Sequence, residues 1–157
     1  MKFANNIITT ILCCLGMTTI MSCQGNLYYA DFRDMPSLEW DSRDTLSFTV
    51  PAPQHDTDMS LTVAVRHTPA YKYESITVRA IAKDSVGCLI SRDLNIKATP
   101  DGKDSKQGAV YTDSRSMPVR LHMKAGHGLT IRLAHRMRLN PLQGISNVEV
   151  TLDRIEK

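Results

Sequence analysis

Three histidines stand close together in the last third of the chain, at 122, 127 and 135. Imidazole is the side chain that most readily binds zinc or moves a proton near neutral pH. A zinc site needs two or three such rings converging on one ion. Strand alternation instead sends His122 outward with Arg120 and Lys124, and His135 inward with Leu133, so no metal site is expected. Asp101-Gly102-Lys103-Asp104 has the turn but not the further oxygen ligands of a calcium loop. No G-x-S-x-G elbow, H-E-x-x-H, phosphate-binding glycine loop or C-x-x-C occurs. The expectation is a protein that is not an enzyme, with no cofactor and no dedicated small-molecule ligand.

Arginine and aromatic side chains carry the remaining chemistry. If the strand period runs on from Leu133, Arg132, Arg136 and Arg138 form one outward row of guanidinium groups. Such a row needs carboxylates or an anionic partner unless water solvates it, and Glu149 and Asp153 are the cross-strand partners if the last strand pairs there. Tyr71 and Tyr73 lie in a connector containing Pro69, and Trp40 precedes the first clear strand. These three rings suit a stacking platform for sugars only if they are exposed on one surface, whereas Trp40 is expected to be partly buried.

The four cysteines divide by position. Cys13 and Cys14 sit in an apolar run from about Ile7 to Ile20, preceded by Lys2. That run is roughly 14 residues, short of the about 20 a helix needs to span a bilayer. Ile20-Met21-Ser22-Cys23 has the form of a lipobox, with Cys23 as the lipidated first residue of the mature chain. Cys88, beside Leu89 and Ile90, is expected to be buried packing. With one thiol left in the domain, no internal disulfide can form.

Removing residues 1–22 from 157 leaves 135, enough for one domain with its own core. Removing Lys2 from the 19 basic residues leaves 18 against 16 acidic, a net of about +2. The basic residues are dispersed among apolar ones, which is no nucleic-acid footprint. The expected organisation is a lipoprotein signal over 1–22, a lipidated N-terminus and spacer over 23–44, and a folded domain over 45–157.

That domain reads as strands. Leu46, Phe48 and Val50 alternate with polar residues, as do Leu61, Val63 and Val65; Ile76, Val78 and Ala80; Val119, Leu121 and Met123; Leu129, Ile131 and Leu133; and Val148, Val150 and Leu152. Val86–Ile90 and Leu94–Ile96 read as one strand with a bulge. Seven or eight such segments with turn residues between them predict a single antiparallel β-sandwich, jelly-roll or immunoglobulin-like.

These residues also carry a family resemblance. His135-Arg136-Met137-Arg138, followed by Leu142, Gly144-Ile145 and Val148, resembles the C-terminal signature of the gliding motility lipoprotein GldH family of Bacteroidota. Val65-Arg66-His67 followed by Tyr71 and Tyr73, Trp40 before Phe48, and the lipobox are similar to that family as well. Where the family has a stretch rich in tryptophan and glycine, this chain has the charged segment Asp101–Gly108. The resemblance implies a membrane-anchored, non-enzymatic component associated with the gliding and type IX secretion apparatus, with envelope proteins as partners. Tyr71, Tyr73, Arg132, Arg136 and Arg138 are the candidate partner-binding residues. The absence of an acidic run after Cys23 favours the periplasmic face of the outer membrane. A carbohydrate-binding surface lipoprotein is the alternative.

Overall fold

The alternation of apolar and polar residues resolves into strands throughout the computed structural model, which describes residues 25–98 and 111–156. Eleven strands occur among the described residues: β1 (Leu27–Asp34), β2 (Glu39–Trp40), β3 (Leu46–Val50), β4 (Thr57–His67), β5 (Ser75–Lys83), β6 (Cys88–Lys97), β7 (Thr112–Arg115), β8 (Val119–Met123), β9 (Leu129–His135), β10 (Leu142–Gln143) and β11 (Ile145–Arg154). All pairings are antiparallel.

One sheet runs β1-β11-β4, with β7 and β8 sharing the far edge of the long β4; the other runs β3-β9-β5-β6. β7 and β8 act as one interrupted strand. At the break, the Ser116 Oγ accepts the Val63 N–H at 3.1 Å, and the Ser116 N–H donates to the Val63 carbonyl at 2.8 Å. Counted this way, eight main strands wind so that the first lies beside the last in one sheet, and the second beside the next-to-last in the other. That is the jelly-roll arrangement, which decides between the two topologies open at the sequence level. β2 and β10 form a separate two-stranded ladder at one end.

The inner faces meet in a single core. Met59, Leu61, Val63 and Val65 of β4 and Val148, Val150 and Leu152 of β11 face Phe48, Val50, Ile76, Val78, Ile131 and Leu133. Nearly all are fully buried, and each large apolar side chain so placed contributes roughly 1.5–3 kcal/mol. The His122-outward, His135-inward assignment holds: His122 is exposed and His135 buried.

Three sequence expectations need correction. The sandwich begins at Leu27, not at 45, because residues 27–34 form an edge strand against β11. The period is hidden there: inward positions facing β11 are held by Tyr29, Asp31 and Arg33 rather than by aliphatic residues. Asp31 accepts bonds from the Tyr29 hydroxyl at 3.1 Å and from Arg33 at 2.8 Å. The Arg33 guanidinium then crosses to the other sheet, bonding the Ser47 carbonyl at 2.9 Å above the Phe48 ring. Trp40, expected to be partly buried, is wholly inside. Cys88 is exposed, because it opens the edge strand β6 at a bulge, and the apolar Val86 and Leu89 beside it face solvent too.

Candidate functional site

The termini of the strands define two ends. Where the described chain begins, the Arg154 N–H donates to the Asn26 carbonyl and the Ile155 N–H to Asp58. The 51–56 and 124–128 connections lie there too, joined by the Gly126 N–H to the Pro53 carbonyl at 2.9 Å. At the opposite end lie the 35–44 segment, the 68–74 connector and the 136–144 segment. β4, 11 residues long, sets the separation at about 33 Å.

Gly144 is where the three far segments meet. Its N–H donates to the Leu38 carbonyl at 2.7 Å, and its carbonyl accepts the Thr68 N–H at 2.8 Å. Its φ is +84°, and a Cβ there would lie 2.6 Å from the Tyr71 nitrogen. Only glycine allows both the left-handed backbone and this approach. Leu38, also at positive φ (54°), turns the chain toward it.

Around this point the aromatic residues stack inward. Trp40 pairs with Leu142 in the β2–β10 ladder, donates its indole N–H to the Asp44 carbonyl at 3.0 Å, and receives His135 edge-on at 5.3 Å. Tyr71 packs between His67 and Tyr73, each at 5.4 Å, and donates its hydroxyl to the Ser75 carbonyl at 2.8 Å. Burial, reinforced by Tyr73, pushes the Tyr71 phenol well above its ordinary range. His135 is buried with neither ring nitrogen hydrogen-bonded. Burial pushes its pKa down; the Asn140 side chain and Trp40 backbone, close but outside hydrogen-bond geometry, and the Asp41 charge offset this in part.

Over this framework lies an open groove of about 470 Å³, walled on one side by Ala70, Lys72 and Tyr73 and on the other by the run from Leu139 to Gln143. Its exposed apolar side chains are Tyr73 and Leu139, at 40% and 55%. The Asn140 side chain braces the far wall by accepting the Ser42 N–H at 2.6 Å and donating to Asp41 at 3.2 Å.

The predicted site residues are not brought together as one surface. Tyr73 lines the groove, and Arg138 is exposed immediately before Leu139. Tyr71 is inside the fold. Arg136 stays in strand register, its N–H bonded to the Thr77 carbonyl at 2.8 Å, and is exposed. Arg132 lies toward the opposite end, in a second groove of about 420 Å³ with Lys83, Ile81 and Thr130. The proposed Glu149 and Asp153 partners are ruled out, because β11 pairs with β1 and β4 in the other sheet. None of the three arginines makes an ion pair or side-chain hydrogen bond among the described residues.

The burial of Trp40 and Tyr71 leaves Tyr73 as the exposed ring of the three, which removes the stacking platform. His122 meets Asp58 at 2.8 Å and His127 meets the Ser85 hydroxyl at 2.9 Å, while His135 lies in the core; the three do not converge. Among the described residues no three His, Cys, Asp or Glu side chains form a metal-holding group. Cys23 and the 101–104 turn lie outside the described residues. Sequence reasoning missed Lys83, whose place opposite Thr130 follows only from strand register, and the bracing role of Asn140.

The fold defines a small jelly-roll sandwich with an open groove toward each end. The family model described as "GldH lipoprotein" matches residues 27–152, and the chain belongs to that family. No curated protein matches the sequence. Among solved structures, the chain is similar to a CocE/NonD family hydrolase from Staphylococcus aureus (9% identity, TM-score 0.40), covering 82% of this chain and 33% of that one. A CBM35 domain solved with a glucuronic acid-containing disaccharide gives 8% identity and a TM-score of 0.41 over 87% of this chain and 96% of that one. A GH115 4-O-methyl-alpha-glucuronidase gives 12% and 0.44 over 83% and 17%. The chain thus spans about a third of the length of the hydrolase. At these values the three likenesses carry nothing about function.

Proposed function

We propose that this GldH-family protein is held to the outer membrane by a lipid on Cys23, on the periplasmic face, and acts as an interaction component of an envelope apparatus of the gliding and type IX secretion kind. It works by contact rather than by chemistry of its own. The observation that carries this reading is the groove over Gly144. It lies at the end opposite the first described residues, so a chain tethered at Cys23 turns it away from the membrane. Its walls come from the segments that carry the family resemblance: the tyrosine connector and the stretch through Leu142 and Gly144. Tyr73 and Leu139 offer apolar contact, and Lys72 and Arg138 add positive charge beside it, which suits a partner segment that is apolar with acidic flanks.

The test is co-purification from membranes after mild detergent extraction. The wild-type chain should recover an envelope protein, and Tyr73→Ala with Leu139→Asp should lose it while the fold stays intact. Recovery of the wild-type chain alone would overturn the reading. Protease treatment of intact cells tests the membrane face, since loss of the domain would place it outside.

A further inference from the structure

At the end where the described chain begins, the second sheet carries a cationic groove that the distal contact does not use. Lys83 lies opposite Thr130, and Arg132 opposite Ile81, so the two cations are diagonal neighbours on the outer face of β5 and β9, about 7–8 Å apart at the backbone. Both are exposed, and neither makes an ion pair or a side-chain hydrogen bond among the described residues. The one carboxylate in the lining, Asp84, faces its own turn, one oxygen accepting the Val86 and Gly87 N–H groups at 2.8 and 2.7 Å, and makes no ion pair with either cation. Ser85 is held by His127. The tip of the β5–β6 turn beside the groove is Val86, 72% exposed.

The first sheet is different at the same end. Asp56, Asp58 and Asp153 lie there, His122 is taken by Asp58, and farther along β4 Arg66 is paired with Asp113 at 2.7 Å. Among the described residues the first sheet mixes these acids with Arg120, Lys124 and Arg154 at this end, whereas the second-sheet groove sets Lys83 and Arg132 against Asp84 alone. Two unpaired cations beside an apolar tip, at the end where the described chain begins, match a phosphate-bearing lipid surface: the cations take phosphate oxygens and the tip enters the headgroup layer.

We infer that Lys83, Arg132 and the Val86 tip dock the sandwich onto anionic lipid headgroups, so that the domain leans on its β3-β9-β5-β6 sheet. The inference rests on the membrane-anchored reading, and its test avoids the lipid. Among the described residues every buried core side chain lies between Met35 and Leu152, and the chain from residue 24 onward carries them all. That lipid-free chain is sedimented with phosphatidylcholine vesicles, and with vesicles in which phosphatidylglycerol replaces one lipid in three. The expected result is binding to the anionic vesicles alone, weakened by salt. Lys83→Ala with Arg132→Ala should cut partitioning by about 25-fold, at roughly fivefold per basic residue near the surface, and Val86→Asp should weaken it independently.

Equal binding to both vesicle types would overturn the inference. So would inorganic phosphate binding at Lys83 and Arg132 without vesicle binding. Unchanged vesicle binding in the double variant, together with lost recovery of an envelope protein, would make the groove a protein contact instead. Failure of the anchor reading is seen separately, as an unmodified Cys23 in the mass of the native protein.

Discussion

His135 meets Trp40 edge to face, ring centroids 5.3 Å apart and planes 70° apart, inside a core that offers the imidazole no hydrogen bond. Trp40 closes the groove end from the N-terminal segment and His135 ends β9, so this contact ties the 35–44 stretch to the second sheet. Trp40→Ala should cost about 3–5 kcal/mol in chemical denaturation. His135→Leu should be near neutral or stabilising, because it removes a buried polar group that has no partner.

The same pair sets a pH dependence. Burial holds the folded-state pKa of His135 below the ordinary 6.5, so the unfolded chain binds more protons between the two values. Stability should therefore fall as pH drops below 6.5, and His135→Leu should flatten that slope. The carboxyls of Asp31, Asp56, Asp84 and Asp113, held low by their hydrogen bonds, lose their contribution only as pH falls through and below 3.8. Denaturation midpoints between pH 7 and pH 4, wild type against variant, stay above the carboxylate window and isolate the His135 slope.

Two glycines at positive φ make a matched pair. Gly126→Ala meets no atom within 4 Å and should lose about 1–2 kcal/mol, the left-handed penalty alone. Gly144→Ala adds an overlap with the Tyr71 backbone and should lose at least about 3 kcal/mol or fail to fold. Equal losses in thermal unfolding would contradict the role given to Gly144.

The fold boundary is testable by truncation. A chain beginning at 45 lacks β1, Trp40 and the Arg33 bridge to Ser47, and should be insoluble or unfolded by circular dichroism. A chain beginning at residue 24 should unfold cooperatively.

The strands after 45 were legible because one face of each is aliphatic and the other polar, and period two survives in Leu61–Val65 or Leu129–Leu133 as plainly as in the structure. β1 was not, since its inward side holds Tyr29, Asp31 and Arg33, whose mutual bonds let polar groups close the edge of a sandwich. Sheet membership was not legible either: nothing in Arg132 or Glu149 says that their strands belong to different sheets, so the proposed pairing failed. Local apolar neighbours misled at Cys88, because burial there depends on β6 being an edge. The groove residues were partly visible. Tyr73 stood out as an aromatic in a connector, while Leu139 and Asn140 acquire meaning only where the chain folds back over Gly144.

The proposed contact is between the groove end and an envelope protein. Its most direct measurement is photo-crosslinking in membranes from a probe placed at Leu139, compared with one at Arg120 on the outer face of the first sheet. The prediction is a discrete adduct with an envelope protein from position 139, abolished by Tyr73→Ala, and none from 120. An adduct from 120 with none from 139 would contradict it.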